Sequence, residues 1–322
     1  MLLRIPPAQG EAILGSMRAV ALAHGAGAVT AMDRETIVSA GAIVLSLDGV
    51  EVDAIAPVQP EELSARIGTG EEAEQAIRML AVMSLADGVA DAEKTALVRS
   101  YAEALGVREG YLEILAEVAE DEVAQATACM VRKNAGSFPH LDSSRLEISA
   151  IAPFFPYRDA PDPELEARYK ALGELPPDTF GRGFYEHFHS NGFEFPGNPN
   201  GLAEGFTTPH DSSHVLSGYS TREMGELCVS TFIGAMHPDH PMAAEVLPVI
   251  YSWHLGVKLN DIANSSHGAF EPRHFWTAWQ RGAATTVDVV AADWDFWAAT
   301  PVPLEELRAA YGVPPVEPEL LA

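Results

Sequence analysis

Cysteine is scarce in this chain, basic side chains are heavily outnumbered, and apolar runs are short. Its two cysteines, Cys129 and Cys228, cannot build a disulfide framework or a four-thiolate zinc site. They are expected as free thiols of a reducing compartment. Lys and Arg number 20 against 46 Asp and Glu, a formal charge of −26, with a pI near 4.6. So negative a field repels phosphate backbones and anionic lipid, so no nucleic-acid partner is expected. Apolar stretches such as 40–47 fall far short of the roughly 20 residues a bilayer-crossing helix needs. Pro6-Pro7 interrupts any signal-peptide apolar core. A soluble, cytoplasmic protein is expected. No glycine-rich phosphate loop follows a strand pattern, and there is no nucleophile elbow. Ser212 and Ser213 sit between histidines without a base and acid converging on them.

What is present is apolar bulk in a helical rhythm. The 322 residues are 47% hydrophobic with a mean hydropathy of +0.02, enough for a sizeable core and, at roughly 150 residues per domain, for about two domains. Residues 11–24, 33–46, 71–86 and 91–105 carry apolar side chains at three-to-four spacing, and no strand-like alternation competes with them. In the third segment Ala76, Ile77, Leu80, Met83 and Leu85 line one side, while Glu71, Glu72, Glu74 and Arg78 stay outside. Asp87-Gly88 stops that helix, and Asp91 with Glu93 places acid near the positive end of the next dipole. Residues 1–135 therefore read as an acidic all-α domain. A faint echo relates 20–25 to 83–88. Residues 83–93 resemble the signature of the tellurite-resistance TerB-like helical domain, which implies a cation held between helices by Asp87, Asp91 and Glu93. Capping by the same acids is the plainer alternative.

Prolines at 139, 153, 156, 161 and 163 prevent helices from running through 136–162, which reads as a linker with a short strand or extended piece at 146–151. A second domain is expected over 163–315, followed by a tail, 316–322.

The chemistry concentrates in one segment. His210 and His214 lie four apart, so on a helix both imidazoles leave one face and can share a metal. Asp211 lies beside them. Glu226 follows His214 by twelve, which on an unbroken helix is about 18 Å, too far for a shared ion. Gly218, however, is a good helix stop, and Ser220 with Glu223 has capping-box spacing for a new helix. A helix–turn–helix can thus return Glu226 to the histidines. Pro209 suits the first helical position with Thr208 as its cap, which would make Asp211 a capping acid or an orienting partner as readily as a ligand.

The pattern His-Asp-x-x-His-x(11)-Glu, here His210, Asp211, His214 and Glu226, resembles the metal motif of the Coq-four family of coenzyme Q biosynthesis proteins. Residues 175–182, ending in Arg182, resemble that family's Leu-Pro-x-x-Thr-x-Gly-Arg segment. Residues 303–312 are similar to its C-terminal helix and glycine stop. The resemblance covers about half of the chain. It implies an all-α domain holding a divalent metal beside an apolar channel. It also implies a prenylated aromatic ligand whose ring carboxylate is exchanged for a hydroxyl, and association with a biosynthetic complex at the membrane periphery. Zinc is the expected metal for a histidine–carboxylate set, with iron or manganese as redox-active options. Arg182 is the candidate for an anionic group of the ligand, with a salt bridge as its alternative.

Other histidines read as structural: His237 and His240 in a proline-bounded loop, and His187 and His189 on an aromatic segment where a spacing of two cannot share a helix face. The late aromatics Trp253, Phe275, Trp276, Trp279, Trp294 and Trp297 are expected as core, some lining an apolar pocket. Two rival functions remain. A metal-dependent phosphohydrolase would recruit His187 or His189 and Asp261. A lipid-carrying or scaffold protein would use the metal structurally. A homo-oligomer is a separate expectation that either function allows.

Overall fold

A computed structural model describes residues 6–24, 27–147, 149, 151–259 and 265–321. Among these residues the protein is all-α, with fifteen α-helices and no strand, and no helix is long and apolar enough to cross a membrane.

Local chemistry sets the first helices. Helix α1 (Pro7–Leu22) begins earlier than the apolar spacing implied, because Pro7 fits a first turn whose N–H needs no partner. Helix α2 (Ala31–Ile43) opens on a capping box between Thr30 and Asp33. Helix α3 (Pro60–Ile67) leads to α4 (Glu71–Leu85), whose first turn carries three glutamates, and then to α5 (Ala92–Leu105). Between α4 and α5, Asp91 and Asp87 both have partners within the fold. Asp91 caps α5 by accepting from the Glu93 and Lys94 N–H groups. Asp87 takes the fully buried Lys94 ammonium at 2.6 Å, with Asp33 3.9 Å from the same nitrogen.

Helices α6 (Tyr111–Ala119) and α7 (Val123–Ser137) complete the first half. The proline-rich stretch beyond forms short 3-10 turns, Ser143–Glu147 among them. Leu146 and Glu147 are therefore helical rather than extended, while positions 148 and 150 lie outside the described residues. Helix α8 (Pro163–Lys170) precedes α9 (Phe180–Asn191), α10 (Glu204–Ser217) and α11 (Glu223–Met236). A π-turn, Pro241–Val246, runs directly into α12 (Leu247–Trp253). Helices α13 (Pro272–Ala284), α14 (Phe296–Ala299) and α15 (Leu304–Ala310) follow.

One apolar cluster draws Ile13, Leu80 and Tyr101 from the first half together with Leu227, Tyr251 and Trp276 from the second. Helix α13 links the halves: Trp276 donates its indole N–H to the Thr36 carbonyl at 3.2 Å, and Gln280 donates to Ile43 at 2.9 Å. Phe275, Trp276 and Trp279 are core, as expected of these late aromatics. On its other side α13 packs against α11, which places α11 between the shared core and α10.

Candidate metal centre

Helix α10 carries both histidines. It starts at Glu204, a turn upstream of the expected start, so Pro209 lies inside it and not at its first position. The proline removes one backbone bond; Thr208 Oγ1 donates to the Glu204 carbonyl and Ser213 Oγ to that of Pro209, and the helix is buried along most of its length. Gly218 ends it in the left-handed region, φ 83°, where a side chain would be strained. Three carbonyls of its last turn are held from outside. Arg308 of α15 donates to Val215 at 2.8 Å and to Leu216 at 2.9 Å, and Arg281 of α13 donates to Ser217 at 3.0 Å. Positive charge at a helix C-terminus also suits its dipole. After the turn, α11 begins at Glu223 without a side-chain cap. The Ser220 hydroxyl accepts from the Arg222 N–H inside the turn instead, since the helix starts two residues later than its capping-box spacing implied and Arg222 takes the N-cap position.

The reversal returns Glu226 to the histidines. Glu226 Oε2 is 3.5 Å from His210 Nε2, and Oε1 is 3.5 Å from His214 Nε2. Ligand atoms of these three residues all lie within 4.8 Å of one another, the one such group among the described residues. An ion with ligands at about 2.1 Å in tetrahedral array sets neighbouring ligand atoms roughly 3.4 Å apart, so the spacing fits. The rings are fixed from behind. His214 donates Nδ1–H to the Tyr219 carbonyl at 3.0 Å, and His210 stacks on Phe206 at 5.0 Å. With Nδ1 engaged at Tyr219, Nε2 is the ring atom of His214 that faces a carboxylate oxygen. A proton or a cation between these two atoms satisfies both. Burial opposes ionisation of His210 and Glu226, yet their mutual contact wins: the His210 pKa is raised, and the Glu226 carboxyl lies well below the usual range.

Asp211 stands apart from this trio. Its Oδ1 accepts from His187 Nε2 at 2.8 Å, and the His187 ring stacks on that of His214 at 5.1 Å. The aspartate thus anchors a third imidazole alongside the pair. Arg182 is turned elsewhere: it bonds Glu186 at 2.7 Å and the Gly173 carbonyl at 2.9 Å. Asp261 lies outside the described residues. His237 is buried against Asp288 at 2.7 Å, and His240 meets Lys133 at 3.3 Å.

No family model matches the chain, nor does any curated protein or solved structure.

A cavity of about 610 Å³ opens onto His210, Asp211 and Glu226, within the range of small-molecule sites. Its walls include Phe188, Phe206, Pro248 and Trp253, together with Met130 and Val131 of α7. The first half of the chain therefore helps to enclose the site. His187 was legible in principle, since it lies three residues after the buried Phe184 and one before the buried Phe188, on the edge of the inward face. Arg281 and Arg308 gave no local signal of their role, because their partners lie 64 and more than 90 positions away.

Proposed function

We propose that this chain is a metal-dependent enzyme of the Coq-four kind, acting on a prenylated or otherwise apolar aromatic acid in ubiquinone-type biosynthesis. The observation that carries the metal is the convergence of His210, His214 and Glu226, whose ligand atoms all lie within 4.8 Å of one another, with His214 held at Nδ1 by Tyr219 so that Nε2 faces the carboxylate. Two histidines and one carboxylate suit zinc, and a three-ligand set with an open position also suits iron or manganese. A divalent ion held there supplies an electrophile for a ring carboxylate or carbonyl oxygen. The protein's own groups supply the rest. Tyr219 and Phe206 orient the imidazoles, the His187–Asp211 pair buttresses them, and the apolar walls exclude water and accommodate a tail. Exchange of a ring carboxylate for a hydroxyl is a two-electron oxidation, so its assay includes dioxygen. An apolar substrate fits a cytoplasmic protein that touches the membrane periphery, alone or with biosynthetic partners.

Elemental mass spectrometry of the purified protein beside His214→Ala and Glu226→Ala tests the metal. Near-stoichiometric metal in the wild type, lost in both folded variants, is expected. No metal after reloading with zinc, iron and manganese refutes the reading. One rival is metal-dependent phosphoester hydrolysis, for which the nearest further histidine, His187, stacks on His214 at 5.1 Å but is bonded to Asp211; turnover of bis(4-nitrophenyl) phosphate by the metal-loaded protein would select it. Retention of an apolar ligand without any turnover would point to a lipid-binding scaffold.

A further inference from the structure

The cavity has a second polar feature, remote from the histidines. Glu245 sits in the π-turn Pro241–Val246, an irregularity that recurs at functional sites because it redirects one side chain. Gly234 of α11 leaves room for it: a methyl group there would lie 3.2 Å from Glu245 Cβ. That position is two turns beyond Glu226 on α11, about 12 Å along the axis. The Glu245 side chain is buried yet lines the cavity. One carboxyl oxygen, Oε1, accepts from Asn134 Nδ2 at 3.3 Å and lies 3.4 Å from Ser137 Oγ, whose proton goes mainly to the Asn134 carbonyl at 2.8 Å. The other has no hydrogen-bond partner among the described residues.

We propose that Glu245 is the second polar contact for the bound molecule: a neutral carboxyl group, braced by Asn134 and Ser137, that donates a hydrogen bond to a carbonyl or ether oxygen. Because Oε1 already accepts from the Asn134 amide, the carboxyl proton belongs on the other oxygen, where it needs an acceptor. Burial keeps the group protonated, pushing its pKa up to about 8 against the smaller opposing pulls of His237, Ser137 and Asn134. The ligand class is thereby narrowed. It carries one group for the metal and, further along an apolar body, a neutral acceptor oxygen; a second anion at that end would be rejected. This inference rests on the cavity being the ligand site of the proposed function, but it does not require the metal.

The test compares butyrophenone with butylbenzene, the same apolar body with and without a carbonyl, their affinities measured by ligand-observed NMR on the full chain. The wild type is expected to prefer the ketone roughly fivefold to tenfold, the worth of one neutral hydrogen bond. Glu245→Gln, which keeps a donor, retains part of that preference, and Glu245→Leu abolishes it. A ketone preference unchanged in a folded Glu245→Leu protein overturns the proposal, as does no preference in the wild type or no binding of either probe. His214→Ala separates the two readings: loss of metal with the ketone preference intact leaves the Glu245 assignment standing whatever becomes of the enzyme.

Discussion

Replacing Glu245 by glutamine should make the protein more stable, and by an amount that depends on pH. Burial moves this carboxyl from an ordinary 4.5 to about 8. Between those values the folded protein holds a proton that the unfolded chain has released. Stability is therefore full below pH 4.5 and is lost as pH rises toward 8. At 1.36 kcal/mol per pH unit, the loss is about 3 kcal/mol at pH 7 and under about 1 kcal/mol at pH 5. Glutamine has the same shape, keeps the oxygen that accepts from Asn134, and has no proton to lose. At roughly 2 °C per kcal/mol for a chain of this size, Glu245→Gln should melt about 6 °C higher than wild type at pH 7 and within about 2 °C at pH 5. Calorimetric melts of both proteins across that range measure the gap directly, and other titrating groups cancel in the difference. A gap that is independent of pH, or a glutamine variant less stable at pH 7, would refute the reasoning.

Three further outcomes follow from the packing. Lys94→Met strands Asp87 and Asp33 in the core and should cost about 3–5 kcal/mol in urea denaturation; a loss under about 1 kcal/mol would mean that the carboxylates find other partners. Gly225→Ala drives a methyl group into the Ser220 carbonyl oxygen, displacing Glu226, so metal affinity should drop by roughly tenfold or more while α10 stays folded; unchanged affinity by competition with a chelator would argue against the turn as the positioning element. Metal affinity should weaken as pH falls from about 8 to 5.5, since both imidazoles bind only when deprotonated and the raised His210 pKa makes proton competition begin early; calorimetric titrations showing a flat profile would exclude these ligands.

Much of the architecture depends on interactions within four residues, and those parts are readable in order along the chain. The apolar spacing of α4, the Asp91 cap of α5 and the stop at Gly218 are of this kind. The return of Glu226 to the histidines could be inferred because a break in the helix was the single way to make twelve residues short. Other features depend on distant partners. Pro209 reads as a helix start by its own chemistry, and only the buried surroundings of α10 explain why the helix runs through it. His187 meets Asp211 across 24 positions. Met130 and Asn134 reach the cavity from α7, a segment that the apolar spacing does not single out.

The two arginines at the end of α10 order events in time. During synthesis, His210 and His214 emerge well before Arg281, and Arg308 comes 92 and 93 positions behind the carbonyls it holds. Until α15 is made, the last turn of α10 lacks those partners and is free to fray, and the carbonyl–imidazole contact that sets His214 frays with it. A nascent chain therefore presents its histidines before their positions are fixed. Under the proposed metal-dependent function, selection of an ion would fall to the completed protein, once these distant partners are in place.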